Sequence, residues 1–279
     1  MIPFDFSYYR PESLREAAEI SQKLAEHKKT AVFYAGGSEI ITMCRAGSIH
    51  PHGVIDIKKI PECTDLYLDE AGLTIGAACT LSRIKESGHF PLLGLACGRI
   101  ADHTNQCRIT LGGNLCGTII YRETSLSLML SDAQLDLFGP EGQRSVPFNT
   151  VFRGHMALKP QELVLRVRIP KWALHAEYAH IKKTTNEKID YPLVNITALW
   201  RDGCLRAAFS GVCAYPFRSE AMEALLNDKG LSCQIRAEKA AALLPEPALT
   251  NVEGSGEYRA FVFKNTLQAL LEDWENGKL

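Results

Sequence analysis

A glycine pair closes an apolar run twice in this chain, in TAVFYAGGSEI at residues 30–40 and in ITLGGNLCG at 109–117. Runs rich in β-branched and aromatic residues read as buried strands. A glycine pair at the end of one lets the chain turn tightly, or lets another group come close to the backbone. One such loop is more often just a tight turn. Two of them, each followed by a small polar residue (Ser38, Asn114), point to consecutive N–H groups gathered around an anion. A pyrophosphate has two phosphates to hold, one for each loop.

The single-loop nucleotide sites do not fit. A Walker loop requires Gly-Lys followed by Ser or Thr, and the only Gly-Lys pair is Gly277-Lys278 near the C-terminus. A dinucleotide fingerprint needs G-x-G-x-x-G between strand and helix, which neither loop offers. The expected ligand is therefore a dinucleotide held in a non-Rossmann way. The histidines at 89, 103, 155, 175 and 180 form no H-E-x-x-H or H-x-x-E-H pattern and read as surface or satisfied core residues; no G-x-S-x-G elbow occurs.

Along the chain, Ser13-Leu14-Arg15-Glu16 fits a capping box and predicts a helix over 13–27. AVFYAGG, GVIDIKKI (53–60) and LTIGAACT (73–80) read as buried strands, and Gly139-Pro140-Glu141-Gly142 as a hairpin turn. ELVLRVRIP (162–170) is a strand ended by proline. Beyond a joint near 171–176, Asp202-Gly203 marks a second hairpin, and amphipathic runs near 219–227, 234–244 and 257–275 predict three helices. Strands followed by strands and helices, without regular alternation, give an α+β class. The predicted division is a first domain over 1–172, with parts at about 1–57 and 58–172, and a C-terminal α+β domain over 173–279.

Charge is balanced, 31 Lys and Arg against 32 Asp and Glu, which argues against a nucleic-acid partner. No window approaches the ~18 apolar residues of a membrane span, and MIPFDFSYYRPESLREAAEI has no secretory pattern, so a cytoplasmic protein is expected. The nine cysteines are odd in number and have no C-x-x-C spacing, which excludes a disulfide framework and a self-contained zinc or iron–sulfur site. Most of them are expected to be small buried residues.

AGGSEI, TLGGNLCG, Glu123, ELVLRVRIP, Lys182 and the closing EYRAFVFKNTL together resemble the FAD-binding subunit of molybdenum hydroxylases, the flavoprotein component of xanthine dehydrogenase, carbon monoxide dehydrogenase and nicotinate dehydrogenase. The resemblance covers nearly the whole chain. It implies a two-part FAD-binding domain of the vanillyl-alcohol-oxidase or PCMH type, followed by a C-terminal domain with a β-sheet and helices. It also implies an electron-transfer role: a molybdenum-cofactor large subunit hydroxylates substrate, a [2Fe-2S] small subunit passes electrons on, and FAD delivers them to NAD or another acceptor. Molybdopterin and iron–sulfur clusters would then sit in those partners.

On the same footing, Phe33, Tyr34, Ala35, Gly36, Gly37, Ser38, Glu39 and Ile40 would form the first pyrophosphate loop, and Thr110, Leu111, Gly112, Gly113 and Asn114 the second. Ile100 would lie near the adenine, Glu123 would replace an Asp that bonds the cofactor, and Val164 and Lys182 would approach the isoalloxazine. The chain departs from the family pattern at Asn105-Gln106-Cys107, where I-R-N is usual, and at IIYRETSLSL, where a proline-flanked S-D segment is usual. A free-standing flavin oxidoreductase and an FAD-less scaffold subunit are the competing readings. Because the cysteines lack ligand spacing, metal analysis of the anaerobically purified chain is expected to find no stoichiometric iron; one or more irons per chain would refute this reading.

Overall fold

The structure is a computed structural model that describes residues 1–278. Strand β1 (Ser7–Tyr9) leads to Ser13, whose hydroxyl accepts the Glu16 amide at 3.2 Å and starts helix α1 (Leu14–Glu26). α1 carries the chain to β2 (Ala31–Tyr34), and α2 (Ser38–Ala46) carries it on to β3 (Gly53–Asp56). Each connection contains a helix, so the strands pair in parallel, in the order β1-β3-β2. The predicted strand over 53–60 is shorter than expected. Asp56 accepts the Lys58 amide at 3.0 Å and turns Ile57–Lys59 into a single 3-10 turn.

The second sheet is antiparallel: β4 (Leu66–Leu68), β5 (Gly72–Gly76), β6 (Gln134–Gly139), β7 (Gly142–Pro147) and β8 (Leu163–Pro170), in the order β4-β5-β8-β6-β7. The predicted strand over 73–80 stops at Gly76, which packs on the Cys63 backbone so closely that a Cβ there would lie 2.3 Å from its carbonyl oxygen. Helices α3 (Pro91–Cys97), α4 (Leu111–Cys116) and α5 (Thr124–Leu130) cover this sheet and bury one contiguous apolar core with it. A smaller core joins α1 and β3 to Leu163 and Leu165 of β8.

The C-terminal sheet is also antiparallel: β9 (Tyr178–Lys183), β10 (Val194–Arg201), β11 (Cys204–Ser210) and β12 (Phe217–Arg218), in the order β12-β11-β10-β9. The Asp202-Gly203 turn joins β10 to β11. Helices α6 (Glu220–Leu226), α7 (Cys233–Ala241) and α8 (Gly256–Glu275) follow, as the amphipathic runs predict. Side chains alternate across a strand, and the two faces of this sheet differ in kind. Ile196, Ala198, Leu205, Ala207 and Phe209 pack on the helices. The opposite face presents Lys182, Asn195 and Ser210 as one cross-strand row and His180, Thr197 and Ala208 as the next.

That face meets the N-terminal part through apolar packing and ions together, since Leu199 and Ala208 join the N-terminal apolar core. Arg201 and Arg206 both bond Asp132, at 2.5 and 2.8 Å, and the Arg201 guanidinium stacks over Trp172 at 4.4 Å. Trp172 belongs to the joint that the sequence places at 171–176.

Within the C-terminal part, Arg259 of α8 is fully buried. Its Nη1 donates to the carbonyls of Pro192, Leu193 and Gly211 at 2.9, 2.8 and 2.6 Å, and its Nη2 donates to Asn251 Oδ1 at 2.6 Å. One side chain thus satisfies three buried carbonyls, a function that the motif EYRAFVFKNTL does not disclose by itself. Arg259→Met is expected to lower unfolding free energy by about 3 kcal/mol or more, since those carbonyls lose their donor. Urea titration followed by circular dichroism measures this, and an unchanged midpoint would refute it.

Candidate functional site

At the end of β2 the chain enters Gly36-Gly37. Gly37 caps α2 with φ +73°, a conformation that L side chains resist. The amides of Gly36, Gly37, Ser38, Glu39 and Ile40 donate to no group in the described residues. Five consecutive free donors at the start of a helix form an anion cradle. Gly36 meets the segment before the second loop directly, because a Cβ there would lie 1.9 Å from the Arg108 carbonyl oxygen. Phe33 and Tyr34 remain only half-buried although they end a strand. The Tyr34 ring contacts Gly37 and lies under the Lys58 ammonium at 4.4 Å, and Lys58 also donates to Ala35 O at 3.0 Å and to Asp56 at 2.7 Å.

The second loop is built differently. The hydroxyl of Thr110 caps α4 by accepting the Gly113 amide at 3.2 Å, and its carbonyl accepts the Asn114 amide at 2.8 Å. Leu111 donates to Cys79 O at 2.9 Å and Gly112 to Ala77 O at 2.8 Å. The amides of residues 111–114 are therefore engaged inside the chain. Sequence reasoning gave both loops free amides; the structure gives them to the first loop alone, because helix capping by Thr110 and the carbonyls of Ala77 and Cys79 consume those of the second. Gly113 stays exposed, and Asn114 Nδ2 donates to nothing in the described residues while its Oδ1 accepts the Thr124 hydroxyl at 2.6 Å. Glu39 ties the loops together: its carboxylate accepts the Thr118 amide at 2.5 Å and the Thr118 hydroxyl as well.

The unusual IIYRETSLSL segment follows. The guanidinium of Arg122 donates twice to Gly117 O, at 3.0 and 2.7 Å, and once to Gly154 O at 2.9 Å, holding the end of α4 against a neighbouring loop. Tyr121 stacks on Tyr191 at 4.8 Å. Cys116 keeps access to solvent. Five of the nine cysteines are buried. No group of three or more candidate metal ligands exists among the described residues.

Glu123 and Lys182, which the sequence places separately against a cofactor, are brought together. Lys182 Nζ donates to Glu123 Oε1 at 2.9 Å and to Arg99 O at 2.7 Å, and Asn195 Nδ2 donates to Glu123 Oε2 at 3.0 Å. Both side chains are almost fully buried, and Lys183 beside them is exposed, as strand alternation requires. Burial raises the Glu123 carboxyl above its ordinary range against the opposing pull of Lys182 and Asn195. Arg99 in turn donates to His180 O at 3.0 Å.

His180 is neither a surface residue nor fully satisfied. Its Nδ1 pairs with Thr197 Oγ1 at 2.9 Å, its Nε2 has no partner, and burial beside Arg99 and Lys182 pushes it down to about 3, so the ring is neutral. Asn195 Oδ1 is likewise buried and unpaired. Ile100 packs half-buried on the N-terminal core, and Val164 lies inside that core at 4% exposure. Sequence reasoning missed Arg99, Asn195 and His180. Only the two-residue spacing of His180 and Lys182 on one strand hinted that they share a face.

Residues 4–172 match the family described as the FAD binding domain in molybdopterin dehydrogenase. The carbon monoxide dehydrogenase medium chain of Hydrogenophaga pseudoflava is 28% identical, with 93% of each chain covered. The putative xanthine dehydrogenase FAD-binding subunit of Escherichia coli K12 is 26% identical over 97% of this chain and 96% of its own. Among solved structures, a carbon monoxide dehydrogenase from Hydrogenophaga pseudoflava superposes with a TM-score of 0.86 at 25% identity, covering 96% of each chain. The fold also matches a chain of quinoline 2-oxidoreductase from Pseudomonas putida 86, with a TM-score of 0.84.

A substitution in the glycine loops separates folding from binding only at Gly113. A side chain at Gly36 would strike the Arg108 carbonyl and one at Gly37 the Tyr34 ring, whereas at Gly113 it would meet only the Thr110 hydroxyl at 2.9 Å. Gly113→Val is expected to stay folded and to bind FAD at least about tenfold more weakly, measured by fluorescence titration. Unchanged affinity in the folded variant would show that the second loop does not closely approach the cofactor.

Proposed function

The chain belongs to the FAD-binding domains of molybdopterin dehydrogenases, and from that premise we propose that it relays electrons from partner-borne iron–sulfur clusters to an external acceptor. It is an FAD-binding oxidoreductase subunit of the molybdenum hydroxylase type. The bound flavin supplies the redox chemistry, and the protein supplies placement, electrostatics and access.

The observation that carries the reading is the row of free amides from Gly36 to Ile40, set against the Arg108 carbonyl. Donors of this kind fit a pyrophosphate. In this reading Phe33, Tyr34 and Ala35 wall the first loop, and Gly36, Gly37, Ser38, Glu39 and Ile40 hold phosphate oxygens. Thr110, Leu111, Gly112 and Gly113 contribute a close backbone surface, and Asn114 adds its free Nδ2. Ile100 and Val164 give apolar contact, while Glu123 and Lys182 stand at the flavin end. The unpaired Asn195 Oδ1 and His180 Nε2 leave polar capacity beside that end, which fits a ring system bearing both donors and acceptors.

The partners in this reading are a molybdenum-cofactor large subunit and a [2Fe-2S] small subunit, with a xanthine dehydrogenase-like assembly as the nearest description and NAD as the candidate acceptor. Relatives named as medium chains or FAD-binding subunits support a heteromeric complex. No helix of the described residues is long and apolar enough to cross a membrane. Nine free cysteines support a reducing, cytoplasmic setting.

The deciding measurement is the visible spectrum of the purified chain, followed by release and identification of its flavin. One FAD per chain is expected. A colourless chain that also refuses added FAD would leave the scaffold reading in its place, and oxidation of NADH or a reduced dye without partners would favour a free-standing oxidoreductase.

A further inference from the structure

Lys182 reaches the flavin end from the C-terminal sheet, Glu123 from the segment just before α5, and they meet where the two parts of the molecule join. The residue after Glu123, Thr124, bonds Asn114 of the second loop, so the pair stands one residue from the candidate cofactor cleft. With side chains 1% and 5% exposed, neither charge is screened by water. Every oxygen of the carboxylate is engaged: Lys182 takes Oε1 and Asn195 takes Oε2. Lys182 is held a second time by Arg99 O. Four separate segments therefore fix one ion pair.

We infer that Glu123 is the fixed counter-ion of Lys182, so that a bound flavin meets a neutral, oriented pair and not a free cation. This rests on the proposed flavin site and assigns Glu123 a positioning and tuning role there, acting through Lys182. The reach of the side chain matters. Glu is one methylene longer than Asp, and here the carboxylate spans from the second-loop segment to both Lys182 and Asn195 of the far sheet. The other charged or titratable groups facing the pair are Arg99, the neutral ring of His180, and Tyr191. None is a second carboxylate, so nothing else on the pair's surroundings replaces Glu123 as the neutralising charge.

The consequence is an asymmetry between two substitutions. Removing the lysine leaves a buried carboxyl facing only the Arg99 guanidinium, which does not bond it, and desolvation favours its taking up a proton. The net charge at the site then changes little. Removing the carboxylate charge leaves an uncompensated ammonium, which favours the reduced, more negative flavin.

The test is the midpoint potential of the FAD-loaded chain, measured by spectroelectrochemistry at one fixed pH in the wild type and in Glu123→Gln, Lys182→Met and the double variant. Glu123→Gln is expected to move the potential to more positive values, equivalent to a rise of about tenfold or more in the ratio of affinities for reduced over oxidised FAD. Lys182→Met moves it far less, and the double variant returns close to the wild type. Glu123→Asp, which keeps the charge but draws it back by one methylene, falls between the wild type and Glu123→Gln.

A large negative shift in Lys182→Met with no shift in Glu123→Gln would show Lys182 acting as a free cation and overturn the inference. Flavin-loaded variants that all keep the wild-type potential would overturn it too. If Glu123→Gln does not fold, the Lys182→Met arm still decides, since a free cation and a compensated one predict different shifts there. A wild-type chain that takes up no FAD removes the functional reading and this inference with it, and that result is distinct because it appears before any variant is made.

Discussion

The close approach of Gly36 to the carbonyl oxygen of Arg108 is the contact on which the site depends. A Cβ at residue 36 would sit 1.9 Å from that oxygen, so the two segments lie side by side only because one of them has no side chain there. From this contact follow the orientation of α2, the free amides at its start, and the bridge from Glu39 to Thr118. A parallel three-stranded sheet leads into one segment, and the turn before α4 supplies the other.

The two glycine loops look alike in sequence and differ in physics. In the first, a left-handed glycine turns the chain so that the helix start faces outward with its donors free. In the second, Thr110 caps a short helix and takes up the amides of Gly113 and Asn114, while Ala77 and Cys79 take the two before them. What the second loop keeps is closeness, through Gly113, and one side-chain donor on Asn114. A division of labour between charge compensation and shape follows.

The C-terminal sheet shows the same economy of pattern. One face is an ordinary apolar core against three helices. The other carries lysine, asparagine, histidine and serine into a buried junction, where ion pairs and hydrogen bonds stand beside the apolar contacts of Leu199 and Ala208. Such groups are costly to bury unless paired. On this face His180 Nε2, Asn195 Oδ1 and Ser210 Oγ remain buried and unpaired.

The sequence by itself determined the α+β class, the capped first helix, both hairpin turns, the three C-terminal helices and the two glycine loops. Capping boxes, turn dipeptides and amphipathic periods are local signals, and each needs only neighbouring residues to act. It also carried the family resemblance, because those loops recur as recognisable short strings. Tertiary structure decided what no local signal encodes. Glu123 and Lys182 are 59 positions apart, and only the docking of β9 against the segment before α5 makes them a pair. The truncation of β5, the engagement of the Leu111 and Gly112 amides by Cys79 and Ala77, and the burial of His180 likewise depend on partners distant in the chain: a hydrogen bond or a desolvated charge is defined by what surrounds it in space, and that is fixed only when the sheets pack.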